Sequence, residues 1–230
     1  MELFSFIERE MCEQALLEDL TSQMQDHLNE HTSLSIALAG GNTPKQFYSR
    51  LSESPLAWEN IKVTLTDERW VDTNDADSNQ RMILETLLTN QAKSASFYGL
   101  KNPEVDVDKG QVITADLLND AIPKLDFVVL GMGDDGHFAS IFPNMDNTSA
   151  LLDMNQAEPC MAAHPAGKPD RLSLTLSYLL KAKRIYLFIC GEKKRAVLEA
   201  MHAEKPDEYL PIYFLLHQST CPVNVYWSET

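Results

Sequence analysis

Apolar and polar segments alternate along the whole chain, and the period of the pattern changes from one segment to the next. Ile7, Met11, Ala15, Leu16, Leu20, Met24 and Leu28 recur at helical spacings, which predicts an amphipathic helix over residues 7–28. Residues 34–38 read as a short buried strand that ends in Gly40-Gly41, and a helix is expected over 44–51. Residues 61–66 alternate as a second strand, and Ser78 can cap a helix over 78–89. A further helix is expected over 110–122, closed by Pro123. Residues 126–130 form a third strand, and its run of Phe127, Val128, Val129 and Leu130 suits a parallel strand covered on both faces. Residues 171–176 alternate as a strand, 185–190 are again consecutively apolar, 192–203 read as a helix, and 223–227 as a last strand.

Strand–helix alternation of this kind predicts an α/β fold. The expected architecture is an open, mostly parallel sheet with helices on both faces, a three-layer, Rossmann-like α/β/α arrangement. There is no internal repeat and no long linker, so residues 1–230 read as a single domain. The polar stretches at 143–159 and 164–170 read as surface loops. Gly40, Gly41, Gly131, Gly133, Gly136 and Gly191 all follow directly on expected strands. Ligands of open α/β sheets bind outside the carboxyl ends of the strands, so these loops are expected to share one site.

Composition narrows the function. With 34 acidic and 19 basic side chains the net charge is −15, which argues against a nucleic-acid or anionic-membrane surface. No apolar stretch approaches the length of a membrane span. The N-terminal MELFSFIERE carries acids where a signal peptide needs bases. Cys12, Cys160, Cys190 and Cys221 are widely spaced, with no metal-binding pattern. They are expected to be packed thiols, Cys190 among them, in a reducing, cytoplasmic setting. An anionic substrate would need a locally basic pocket in this acidic molecule.

Four constellations can carry chemistry. Ala39-Gly40-Gly41-Asn42-Thr43-Pro44 joins a strand to a helix, with Thr43 as the expected N-cap and Pro44 in the first turn. Free amides at such a junction suit a phosphate. Thr66-Asp67-Glu68-Arg69-Trp70 ends a strand; Arg69 can grip a phosphate as a fork of donors, while Asp67 and Glu68 can orient it or bind hydroxyls. Residues 131–140, GMGDDGHFAS, formally match G-x-G-x-x-G. Asp134 and Asp135 would repel a pyrophosphate, and the motif lies mid-chain rather than in a first βαβ unit, so dinucleotide binding is not favoured. The turn instead exposes His137 as a candidate general base, with Asp135 to fix its tautomer or stabilise its protonated form. Lys168-Pro169-Asp170-Arg171 and Gly191-Glu192-Lys193-Lys194-Arg195 place bases at strand ends, and lysines at a helix start are unfavourable unless an anion binds there. Residues 72–79 hint at an EF-hand, but Gln80 and Thr86 stand where glycine and glutamate are needed. No serine sits on a nucleophile elbow, Ser140 included.

Taken together, LAGGNTP (38–44), TDERWV (66–71) with SN (78–79), GMGDDGHFASIFP (131–143), PDRLSLT (169–175) and CGEKK (190–194) resemble the 6-phosphogluconolactonases of the glucosamine-6-phosphate isomerase/6-phosphogluconolactonase superfamily. The motifs come in the family's order and span most of the chain. The resemblance implies hydrolysis of 6-phospho-D-glucono-1,5-lactone to 6-phosphogluconate, a step of the oxidative pentose phosphate pathway, with no metal and no organic cofactor. It implies His137 as general base and Arg69 in the active site near the substrate phosphate. It also implies Gly40, Gly41, Asn42 and Thr43 as the phosphate loop, with Arg171 and Lys194 as bases near the phosphate. The expected partner is the small-molecule substrate, in a monomer or small homo-oligomer.

Ala39 and Asn42 replace two serines of the family's first motif, and Asp72 stands where proline is common. These departures bear on phosphate binding rather than on the reaction. The text after the histidine, FASIFP, lacks the glutamate of the isomerase/deaminase relatives. An amino-sugar phosphate isomerase/deaminase and a non-catalytic sugar-phosphate-binding module remain the alternative readings.

Overall fold

A computed structural model of the chain describes residues 1–203, 206 and 208–230. In chain order the elements are β1 (Glu2–Phe6), α1 (Arg9–Glu30), β2 (Leu34–Leu38), α2 (Lys45–Leu51), β3 (Ile61–Leu65), β4 (Asp67–Arg69), α3 (Asn79–Thr86), β5 (Ser96–Tyr98) and α4 (Val107–Ala121). They continue with β6 (Phe127–Leu130), α5 (Thr148–Leu152), β7 (Cys160–Ala163), β8 (Arg171–Leu174), α6 (Leu176–Leu179), β9 (Arg184–Cys190), α7 (Glu192–His202), α8 (Pro211–Leu216) and β10 (Val223–Ser228).

Seven strands form one sheet in the order β1-β10-β9-β6-β2-β3-β5, and every neighbouring pair is parallel. The central strands are largely apolar because both faces are covered: all of β6 and all of β2, its single Ser35 included, is buried. The chain moves one way through the sheet from β1 by α1 to β2 and on to β3 and β5, then returns through β6, β9 and β10. Right-handed crossovers therefore put α1, α2 and α3 on one face and α4 to α8 on the other. Contacts agree: α1 packs on α2 and α2 on α3, while α7 packs on α8 and α5 on both α6 and α8. The direction of travel reverses between β2 and β6, and at such a switch point the loops diverge and open a crevice.

A second, three-stranded antiparallel sheet has the order β4-β8-β7. It was not expected from the sequence, which placed residues 171–176 with the main sheet. Its register sets Asp67 against Ser173, Glu68 against Leu172 and Arg69 against Arg171.

Several expectations need correction. The first helix begins at Arg9, not residue 7; Ile7 and Met11 are 73% and 58% exposed, and the inward stripe is Cys12, Leu16, Leu20 and Met24. Thr43 does not cap α2, whose N-cap is Pro44 with no side-chain hydrogen bond. α4 starts at Val107, earlier than expected, because the Asp106 side chain accepts from the amides of Asp108 and Lys109. The strand from Arg171 stops at Leu174, since Thr175 caps α6. The stretch 143–159 contains α5. Cys190 is half-buried rather than buried, while Cys12, Cys160 and Cys221 are buried and all four thiols are free. Ser78 does cap α3, accepting from the Arg81 amide. Among the described residues no helix is long and apolar enough to cross a membrane.

Candidate active site

The crevice at the switch point is a cavity of about 280 Å³. It is walled by residues 39–44 after β2, by Asp67 and Arg69 of β4, by the 131–139 turn after β6, by Arg171 of β8 and by Lys194 of α7. Of the residues singled out in the sequence, Gly40, Gly41, Asn42, Thr43, Asp67, Arg69, His137, Arg171 and Lys194 line it, while Glu68, Lys168, Lys193 and Arg195 do not. Asp135 stands off the wall, against His137.

The 40–43 loop is shaped by one conformational and one steric demand. Gly41 has φ +93°, where other residues are strained. Gly40 has no room for a side chain, since a Cβ there would lie 1.9 Å from Asn79 Oδ1. The amides of residues 40–43 make no hydrogen bond to other described residues, which leaves them free for an anion.

The second wall depends on Glu68, which is fully buried. Its carboxylate accepts from the amides of Asn79 and Gln80, both at 2.7 Å, and of Arg69 at 2.8 Å. Burial nevertheless pushes its pKa up, against the pull of those amides. Glu68 thus binds neither ligand hydroxyls nor the Arg69 guanidinium. It occupies the start of α3 and fixes Asn79, whose Nδ2 donates to Asp67 O at 2.9 Å while its side chain lines the cavity beside Gly40. Asn79 was missed as a site residue. The 78–79 motif pointed to it, but only the fold brings it to Gly40.

Asp67 faces Arg171 rather than Arg69. Its Oδ2 lies 3.8 Å from Arg171 Nη1 and 2.5 Å from Ser140 Oγ. Ser140 is therefore a buried strut, in keeping with its exclusion as a nucleophile. Burial lowers the pKa of Arg171, with Asp67 opposing and Arg69 reinforcing that shift. Arg69 Nη1 donates to Asp77 O at 2.6 Å. Arg69 Nε and Arg171 Nε are both buried without a partner among the described residues. Orphaned buried donors are costly, and two guanidinium groups opposed in register repel. Both costs fall when an anion binds between them. With Lys194, three cations and a single carboxylate, Asp67, line the cavity, so it is locally basic within an acidic chain.

The opposite end carries the 133–137 turn. Gly133 N donates to His137 O at 2.9 Å, and Gly136, at φ +72°, continues the turn. The His137 ring covers Gly133 so closely that a Cβ there would lie 2.2 Å from its Cε1 and Nδ1. Nδ1 lies 2.5 Å from Asp135 Oδ1. Burial alone would raise the pKa of Asp135, but the hydrogen bond and charge of His137 outweigh it and hold it below the usual carboxylate range. The imidazole stacks on Phe142 at 4.1 Å. Lys168 Nζ lies 4.3 Å from the same ring and Arg171 Cζ 5.2 Å, so one aromatic ring ties the two ends of the site together. Phe142 was not picked out in the sequence, and an aromatic in a loop carries no signal of this role. With Nδ1 engaged by Asp135, Nε2 makes no hydrogen bond among the described residues and can take a proton from water.

Three of the four thiols are held protonated by burial, which pushes Cys12 and Cys160 up to about 12 and Cys221 to about 11. No group of three or more His, Cys, Asp or Glu among the described residues is placed to hold a metal ion.

Comparison with known proteins identifies the chain's relatives. The family described as glucosamine-6-phosphate isomerases/6-phosphogluconolactonase matches residues 8–227. A 6-phosphogluconolactonase of Pseudomonas putida is 36% identical over 92% of this chain and 86% of its own length. One from Helicobacter pylori is 32% identical over 99% of this chain and 98% of its own. The crystal structure of a 6-phosphogluconolactonase from Shewanella baltica superposes with a TM-score of 0.94 at 34% identity, covering 99% of this chain and 97% of that one. The chain belongs to the glucosamine-6-phosphate isomerase/6-phosphogluconolactonase family.

Proposed function

We propose that the chain hydrolyses 6-phospho-D-glucono-1,5-lactone to 6-phosphogluconate. One observation carries this reading: a single cavity holds two orphaned buried guanidinium donors at one end and an oriented histidine at the other. A phosphorylated sugar lactone has matching ends, an anion and an electrophilic carbonyl. The names of the relatives support the same reaction and do not favour the isomerase/deaminase alternative.

Arg69, Arg171, Lys194 and the 40–43 amides hold the phosphate. This binding lies remote from the reacting carbon, and it positions the carbonyl by His137. His137 Nε2 removes a proton from water as the water oxygen attacks C1. The resulting imidazolium is stabilised by Asp135 through Nδ1–H. When the tetrahedral intermediate collapses, the C1–ring-oxygen bond breaks and His137 returns the proton to the departing oxygen. A lactone is an activated ester, so no covalent enzyme intermediate is required. Asp67 acts by holding Arg171 in place.

The test is disappearance of freshly generated 6-phosphogluconolactone over the spontaneous background. Loss of a general base costs about 10²–10⁴-fold, so His137→Ala is expected to fall to near background while still binding 6-phosphogluconate. A wild-type rate no faster than background would refute the proposal.

A further inference from the structure

The 40–43 loop does not hold its own shape: Gly41 is conformationally free, α2 has no side-chain cap, and Pro44 offers no amide. Its anchor lies outside it, on α1. Arg9, the first residue of that helix, donates from Nη2 to the carbonyl of Thr43. That carbonyl has no other partner among the described residues. Nε of the same guanidinium donates to Glu13 Oε1 at 2.8 Å.

Glu13 is an unusual residue in its place. It is completely buried, and its Oε2 has no hydrogen-bond partner among the described residues. A buried, half-satisfied carboxylate is costly, and the one hydrogen bond it accepts among the described residues comes from Arg9. Beside it, Cys12 and Leu16 fix α1 in the core. A second tie, Arg50 Nη2 to Glu10 Oε1 at 2.7 Å, joins α2 to the same turn of α1.

We propose that Arg9, locked by buried Glu13, is a positioning residue that turns the Thr43 carbonyl away from the cavity and so sets the 40–43 amides for the substrate's phosphate. The proposal rests on the lactonase reading above. A carbonyl turned inward would repel the anion. Because Glu13 neutralises Arg9 directly, the guanidinium acts through geometry and adds little to the field in the cavity. The two contacts use two nitrogens of one planar fork, which a lysine cannot reproduce.

The experiment compares wild type with Arg9→Lys and Glu13→Gln on 6-phosphogluconolactone and on unphosphorylated glucono-1,5-lactone. Competition by inorganic phosphate and thermal unfolding are measured alongside. Both variants are expected to raise KM for the phosphorylated substrate about tenfold with little change in kcat. Competition by phosphate should weaken in parallel, and kcat/KM on the unphosphorylated lactone should hold. Glu13→Gln separates geometry from field, since it leaves the Arg9 charge unneutralised. A lower KM in that variant would overturn the proposal, and so would an unchanged KM in Arg9→Lys. Equal losses on both substrates would also overturn it, as a merely structural role. The functional reading fails separately, and visibly, if wild type itself shows no preference for the phosphorylated lactone.

Discussion

Gly133→Ala tests the catalytic end of the site through a single methyl group. Gly133 does not have a positive φ, so alanine fits the backbone there without strain. The methyl would sit 2.2 Å from the Cε1 and Nδ1 atoms of His137 and 2.6 Å from Asp135 Oδ1. Ordinary contact begins at 3.4 Å, so the ring must retreat by 1.2 Å, from 2.2 to 3.4 Å. It cannot withdraw freely, because Phe142 stacks on it at 4.1 Å. The displacement falls on the 2.5 Å bond to Asp135 and on the aim of Nε2. Misplacement by about 1 Å costs about 10²-fold in an oriented reaction, which is about 2.7 kcal/mol of barrier. The expected result is a fall of that size in kcat with a thermal midpoint near wild type, since glycine-to-alanine replacement also reduces the entropy of the unfolded chain. The assay is lactone disappearance under saturating substrate. Full kcat in Gly133→Ala would refute the idea that the tight turn aims the histidine.

Three further outcomes follow from the same geometry. Gly40→Ala would drive a methyl to 1.9 Å from Asn79 Oδ1; KM for the phosphorylated lactone should rise more than kcat falls, and steady-state kinetics would check this. Asp67→Ala leaves the largely buried Arg171 without its carboxylate, which should cost on the order of 3 kcal/mol in urea unfolding, partly recovered by added inorganic phosphate. His164 has its pKa raised, first by its hydrogen bond to Asp170 and then by Asp108. Its contribution to stability is therefore full below the ordinary histidine pKa and is lost as pH rises through the raised folded-state value. The difference in thermal midpoint between wild type and His164→Gln should accordingly be largest at acid pH and vanish at alkaline pH.

The parts of this fold legible in the sequence were those whose signal is local. β6, and β9 from Ile185 on, announce themselves as unbroken apolar runs because both faces are covered; β2 is apolar but for Ser35, and Ser78 marks the start of α3 by capping chemistry. β4, β5 and β7 have three or four residues each, too few for a period to show. β1, at Glu2–Phe6, lies just before the expected helix, and its five residues carry too short a pattern to be read as an element. In the site, the glycine turns, His137 and the arginines could be read from residue type and place. The partners could not. Glu68 reads as a ligand-binding acid yet caps a helix, the Asp67 side chain reaches diagonally across the β4–β8 ladder to Arg171, and Arg9 reaches Thr43 from 34 residues away. Such pairings depend on which loops the topology brings together, and no local pattern encodes that.

The small antiparallel sheet has a further consequence. Arg69 and Arg171 meet in the cavity because they are directly opposed in a ladder of only three pairs. Side chains alternate across a strand, so a slip of one residue would turn Arg171 out of the cavity and bring a neighbour in its place. The sign of the cavity's charge is thus a property of strand register as much as of composition. An insertion or deletion in the loops leading to β8, at a distance from every reacting atom, would rewrite the electrostatics of the site while leaving each of its residues in the chain.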